Sequence, residues 1–253
     1  MNFWKKYIDC KNNTLLALSL LTIISSAVLA DWDPEILWDK DPSCLQSPQY
    51  IQLKADIISS LKGSWCSEEK TNLLMDLILL EQPSICVEIG VFTGSSVLPV
   101  ATTLKFLKKG KIFAVDAWSN QIAVRNWDDN DPNKAWWSSL DMKAISKSFK
   151  SMIKDRKLQD FCTVISLPSE EAINQIESID FLHLDGDYSE IGSMQDIELY
   201  LPKVKSGGYI LLSNLFTMIN GKQPKAKAFS FLMESCEMIC EIERDNAILF
   251  KKY

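Results

Sequence analysis

From about residue 80 the chain alternates short, unbroken apolar runs with longer stretches whose apolar residues recur every three to four positions. The short runs are "SICVEIG", "GKIFAVDAW", "FCTVISL", "IDFLHLDGD" and "GGYILLSN". At four to eight residues with little polar interruption, such runs predict strands buried on both faces. Between them lie helical patterns: "SSVLPVATTLKFLKK", "LDMKAISKSFKSMIKDRKL", "PSEEAINQI" and "SEIGSMQDIELYLPKV". In the first of these Val97, Val100, Leu104 and Leu107 share one side, and Pro99 falls in the first turn, where proline is tolerated. The tryptophan-rich, polar "NWDDNDPNKAWWSS" predicts a loop. A further helix, "KAKAFSFLMESC", precedes two runs split by the tight turn "RDN", which predicts a C-terminal hairpin.

Upstream, "YIQLKADIISSLKG" and "SEEKTNLLMDLILLEQP" also read as helices. Ser67 before Glu68 and Lys70 resembles a capped start, Leu73, Leu74, Leu77 and Leu80 form one face, and Pro83 stops the pattern. Parallel strands need crossover helices, and this alternation supplies them. The expected fold is α/β: a doubly wound, mostly parallel seven-stranded sheet whose C-terminal hairpin adds antiparallel edge strands. Residues 31–80 are expected as a helical extension and 81–253 as the main domain.

The first thirty residues differ in kind. Lys5, Lys6 and Lys11 precede "TLLALSLLTIISSAVLA", which ends in small residues before acidic "DWDPE". That order reads as a secretory signal peptide cleaved after Ala30, implying export and no membrane contact after cleavage. The rival reading is an uncleaved anchor over residues 14–30, although the run is short against the ~20 apolar residues a span needs. The net charge of −6 argues against a general affinity for nucleic acid. Of seven cysteines, Cys10 would leave with the leader, Cys86 and Cys162 sit in apolar runs, and Cys44 and Cys66 could pair in an oxidising compartment. A single histidine, His183, makes a zinc site unpromising.

The chemistry concentrates at strand exits. After the first strand comes Glu88-Ile89-Gly90-Val91-Phe92-Thr93-Gly94. It is neither the G-x-G-x-x-G of a dinucleotide fold nor a phosphate-binding loop ending in Gly-Lys-Ser/Thr. A carboxylate in that place disfavours a pyrophosphate and a nicotinamide cofactor, and suits a cationic ligand. S-adenosylmethionine, with its sulfonium and ammonium, fits, and amides at the following helix start with Ser95 and Ser96 could hold its carboxylate.

"VEIGVFTGSS", "IFAVDAW", "PSEEA", "IDFLHLDGDYSE" and "LPKVKSGGYILLSN" occur in an order that resembles class I S-adenosylmethionine-dependent methyltransferases. The likeness, over residues 70–253, is to the small bacterial O-methyltransferases related to catechol and macrocin-type enzymes, with their Rossmann-like fold. It implies S-adenosyl-L-methionine as cofactor and a small hydroxylated molecule as acceptor; a homodimer is a further expectation. It implies a cofactor site of Glu88, Gly90, Phe92, Gly94 and Ser96 in the first motif, and of Asp116 on the ribose with Ala117 and Trp118. Ser169 and Glu170 follow near the adenine, and Asp185 at the fourth strand's end. Metal-dependent relatives hold a divalent cation such as Mg2+, matched here by Asp185 and Asn214, but their third acid is Ser213 and their frequent histidine is Tyr188. Asp185 or Asp187 is then the expected base. His183 is read as either a satisfied core histidine or a base. Trp118, Trp127, Trp136 and Trp137 are read as a packed lid or as an aromatic acceptor pocket. The competing functional class is an exported binding protein that kept this fold without turnover.

Overall fold

A computed structural model describes residues 40–131, 133–218 and 221–253. The expected leader, Cys10 and the start of the expected extension lie outside the described residues. Seven strands form one sheet in the order β3-β2-β1-β4-β5-β7-β6. The parallel set is β1 (Ile85–Ile89), β2 (Lys111–Val115), β3 (Cys162–Ile165), β4 (Ile179–Leu184) and β5 (Val204–Leu212). The hairpin β6 (Cys236–Ile242) and β7 (Ala247–Lys252) docks antiparallel on β5 through β7. This is the Rossmann-like methyltransferase fold. Strand order reverses between β1 and β4, so their C-terminal ends diverge and open a crevice.

Helices cover both faces, which is why the strands read as continuous apolar runs. On one face α1 (Pro48–Ser60), α2 (Glu68–Glu81), α3 (Val97–Leu107) and α6 (Met142–Asp155) share a core with Cys86, Ile112 and Ala114 of the sheet. On the other, α8 (Glu190–Tyr200) and α9 (Ala226–Ser235) bury Ile197, Tyr200, Phe229 and Leu232 against Val87, Leu182 and Ile210. Each such side chain contributes about 1.5–3 kcal/mol of burial.

Two features of α2 matter for the site. It is buried on nearly every side, from Lys70 to Leu80. Its first turn is capped by Ser67, whose Oγ accepts the Lys70 N–H at 3.0 Å. Ser67 is in turn held by Asp245 in the hairpin turn, with Ser67 N donating to Oδ1 at 3.1 Å. The helix ends at Gln82, left-handed at φ 48°, one residue before Pro83. These contacts fix the N-terminus of α2 over the ends of β4 and β5.

The segment expected as a loop, 126–139, is partly helical. A short α4 (Asn120–Ala123) precedes it and α5 (Lys134–Ser139) lies within it. Asn120 Nδ2 donates to the carbonyls of Trp137 and Leu140, each at 2.9 Å, and staples the segment to the strand exit. Tertiary bonding of this kind overrides the local polarity that predicted coil. α7 (Ser169–Ala172) is the one remaining helix between β3 and β4, followed by a 3-10 turn.

Candidate active site

The turn after β1 brings two strand exits into contact. Gly90 sits at φ +85°, and a Cβ there would meet Asp185 O at 2.5 Å and the Gly186 Cα at 2.6 Å. Only glycine allows this approach. Phe92 also takes a left-handed conformation, and its N–H donates to Asp116 Oδ2 at 2.8 Å. The other Asp116 oxygen accepts the Trp118 N–H at 2.6 Å, so one carboxylate ties the β1 turn to the β2 exit. Burial raises the Asp116 pKa and the backbone donors oppose that rise. A cavity opens here, lined by Gly90, Phe92, Ser96, Asp116 and Ala117 on one side and by Ser169, Asp185 and Asp187 on the other.

Several residues expected in that wall lie elsewhere. Glu88 is 1% exposed and does not line the cavity. Strand alternation turns it under the floor, where Ser96 Oγ donates to Oε1 at 2.5 Å and His183 Nδ1 stands 3.0 Å from Oε2. Neither His183 Nδ1 nor Glu88 Oε2 has a hydrogen-bond partner among the described residues. Burial pushes the Glu88 carboxyl up to about 7 and the His183 imidazole down to about 3. The two are therefore closer to a neutral pair than to an ion pair, and His183 is a core histidine whose Nε2 lies 2.9 Å from Ser213 Oγ. Gly94 faces Phe149 rather than a ligand, since a Cβ there would meet that ring at 2.3 Å. Trp118 donates through Nε1 to Phe92 O at 2.9 Å and stacks on Phe149 at 5.5 Å, away from the other tryptophans. Glu170 is turned to the rim by a bidentate pair with Arg125.

At the exits of β4 and β5 the charges are denser. Asp185 Oδ1 accepts from Asn214 Nδ2, and Oδ2 lies 3.5 Å from Lys70 Nζ. Lys70 also donates to Ser213 Oγ at 2.9 Å. Burial works against the Lys70 charge, but Asp185, with Cys66, Asp245 and Glu88, holds its pKa above the ordinary value. A second buried lysine, Lys225, donates to Ser213 O at 2.8 Å and lies over the Tyr188 ring at 5.4 Å. Burial lowers its pKa. Both Asp187 oxygens are engaged within the fold, accepting Ser189 N at 2.7 Å and Asn126 Nδ2 at 2.8 Å. Asp196, pushed up to about 7 by burial, accepts from Ser169 Oγ at the cavity wall.

A second groove adjoins the first and is lined by Trp136, Asn214, Thr217 and Arg244. Trp65, Lys70, Trp127, Trp137, Asp185 and Tyr188 line both. The shared wall is aromatic: Trp65 stacks on Phe92 at 5.1 Å, Trp137 meets Phe92 edge-on at 5.4 Å, and Trp136 meets Trp137 at 5.0 Å. Trp127 Nε1 is buried with no hydrogen-bond partner among the described residues. Trp65, Lys70 and Lys225 are among the site residues that sequence reading missed. Lys70 had a signal, being in phase with Leu73, Leu74 and Leu77 on the apolar face of α2. Cys66 and Cys44 are not paired: both are free, and Cys66 is buried with its Sγ 3.4 Å from Thr71 Oγ1. Burial raises its thiol to about 11.

The donor set at this end does not fit a divalent cation. Such ions want several anionic or carbonyl oxygens. Here Asp185 already accepts from the Asn214 amide and pairs with Lys70, both Asp187 oxygens are held by the loop, and Ser213 Oγ is taken by an ammonium. Among the described residues no group of three or more His, Cys, Asp or Glu side chains is placed to share an ion.

The fold and the crevice define the class I methyltransferase architecture. The family described as "Methyltransferase domain" matches residues 87–215, just over half of the chain, and the chain belongs to that family. Solved structures agree on the fold. An O-methyltransferase from Bacillus cereus in complex with SAH aligns with TM-score 0.55 at 16% identity, covering 94% of this chain and 100% of that one. TomG from Streptomyces achromogenes, an O-methyltransferase involved in tomaymycin synthesis and solved with SAM, gives 0.53 at 12% identity over 92% and 95%. SAH-bound PaMTH1 from Podospora anserina, a methyltransferase, gives 0.54 at 14% identity over 96% and 98%. No curated protein matches the sequence.

Proposed function

We propose that the protein transfers a methyl group from S-adenosyl-L-methionine to a hydroxyl of a small acceptor. The observation that carries this reading is the pair of grooves meeting at one wall, where Lys70, Asp185 and Tyr188 face both. One groove suits the donor. Asp116 has lone pairs left to accept ribose hydroxyls, and the backbone amides at the start of α3 can meet the donor's carboxylate, the Ser96 hydroxyl being donated to Glu88. The other suits the acceptor, with aromatic walls and the open Trp127 N–H.

In this reading Asp185 receives the hydroxyl proton. Asp187 is the weaker candidate, because it lines only the donor groove whereas Asp185 lines both. Alignment contributes the larger share, since methyl transfer is an in-line displacement at carbon. Calorimetric titration of the purified chain with the donor and with its demethylated product tests the reading. Saturable heat supports it; no heat and no thermal shift would sink it.

A second reading, a binding protein without turnover, draws on Ser213 and Tyr188 standing where relatives carry an acid and a histidine. The expected leader favours it too, since the donor is made in the cytosol. Binding of the donor with no methylated product from a panel of phenols, catechols and sugars would select it.

A further inference from the structure

The misfit to a divalent ion is specific, and it has a positive counterpart. Three groups converge where β4 and β5 end: the Asp185 carboxylate, the Ser213 hydroxyl and the Asn214 amide. The space between the first two holds Lys70 Nζ, 2.9 Å from Ser213 Oγ and 3.5 Å from Asp185 Oδ2. Lys70 is 3% exposed, so its ammonium is aimed inward rather than at bulk water. It arrives from α2, whose cap on Ser67 and tie to Asp245 hold it in register with the strand ends. Lys225 fills the other side, on the Ser213 carbonyl at 2.8 Å. A dication placed here would meet Lys70 and Lys225, with Asp185 the carboxylate in contact with Lys70 and Asp187, Asp196 and Asp245 acting on the two lysines from further off.

We propose that the Lys70 ammonium, clasped by Ser213 and Asp185, is the protein's own replacement for a divalent cation and faces the acceptor oxygen during transfer. This rests on the O-methyl-transfer reading given above. In that step a lone pair of the acceptor oxygen forms the C–O bond. The S–CH3 bond breaks with its electron pair left on sulfur, and the hydroxyl proton goes to Asp185. Negative charge gathers on the oxygen as the proton leaves, and a fixed cation beside it lowers the barrier. Removing one preorganised group of this kind costs on the order of 10²–10³-fold in rate. An ammonium carries half the charge of Mg2+, but it is pre-positioned by covalent attachment and needs no free ion.

The test uses the full chain and three probes. First, the wild type is titrated with MgCl2 and MnCl2 alone. No saturable heat is expected, and a saturable one that is lost in Asp185→Asn would overturn the proposal. Second, 4-nitrophenol reports ionisation by its colour. Bound to wild type after EDTA dialysis, it should ionise about one pH unit lower than when bound to Lys70→Met, a tenfold shift in its proton equilibrium. Lys70→Arg should keep most of that shift. An EDTA-sensitive shift, or one untouched in Lys70→Met, refutes it. Third, donor affinity is measured on the same preparations. Absent donor binding would sink the methyltransferase reading, whereas metal binding beside normal donor affinity would sink this inference alone. Should Lys70→Met fail to fold, the metal titration of the wild type still decides.

Discussion

The two halves of the crevice are built on different principles. On the β1–β2 side, the wall is backbone and one carboxylate: Gly90 and Phe92 in left-handed turns, with Asp116 holding two N–H groups. On the β4–β5 side, the wall is a cluster of side chains from four separate segments: Lys70 from α2, Asp185 after β4, Ser213 after β5 and Lys225 before α9. The first half is a rigid cradle whose shape the local chain dictates. The second is an electrostatic device assembled by tertiary packing. A cradle of the first kind suits a ligand shared by many proteins, and a device of the second kind suits whatever chemistry one protein performs.

The sharpest way to break this contrast is Asp185→Asn. It removes the expected proton acceptor and the partner of Lys70, so kcat should fall by roughly 10²–10⁴-fold while donor affinity changes little. Steady-state kinetics beside donor calorimetry would show it. Equal losses in both would mean that the β4 side also holds the donor, and the division into halves would fail. The opposite result is expected from Asp116→Ala. Losing the carboxylate that pins Phe92 and Trp118 should weaken donor binding about 10- to 100-fold, the cost of one or two charged hydrogen bonds, and leave the acceptor KM near wild type.

A smaller effect separates the aromatic wall from both. Trp137→Ala removes ring contacts to Phe92, Trp136 and Trp127. The acceptor KM should rise about 3- to 10-fold, in keeping with about 0.5–1.5 kcal/mol per aromatic pair. Donor affinity measured on the same variant should stay within about twofold, and a larger loss would place this ring on the donor side.

The contrast also explains what could be read in the sequence. All seven strands, the Gly90 turn, Asp116 and Asp185 were legible because each follows from local pattern: apolar runs, a glycine, an acid at a strand end. Lys70 and Trp65 were not. They come from the region of α1 and α2, and nothing local says that the start of α2 lies over β4 and β5. The tie that puts it there, Ser67 to Asp245, spans 178 residues. Glu88 was legible as a residue but misread in its direction. Its neighbour across the sheet is His183, a pairing that exists only once β1 and β4 are adjacent. The tryptophans show the same limit. Sequence grouped four of them, while the structure sends Trp118 to Phe149 and adds Trp65 in its stead.

Glu88 supplies the finest test, because it lies between the two halves. Its carboxyl is raised from 4.5 to about 7 in the folded protein, chiefly by burial, with the Ser96 hydrogen bond and the Lys70 charge opposing the rise. A carboxyl raised in this way favours folding while protonated in both states, so its contribution is full below about pH 4.5 and is lost as pH climbs through about 7. His183, lowered to about 3, stays neutral in the folded protein across that window while the unfolded chain's imidazole titrates near 6.5, which makes stability rise with pH in wild type and variant alike and cancels between them. Asp196 also titrates near 7, but it is present in wild type and variant alike and cancels between them. Glu88→Gln keeps an acceptor for Ser96 and removes the ionisation. The variant should therefore melt near wild type at pH 5 and gain on it by pH 8. Roughly 1–2 kcal/mol is at stake after allowance for coupling, or about 3–6 °C for a chain of this size. Donor affinity should fall by no more than about threefold, since the side chain lies beneath the cavity rather than in it. A gap that closed with rising pH, together with a large loss of donor binding, would mean that Glu88 is ionised and holds the donor's ammonium, and the cradle would then be as electrostatic as the device opposite.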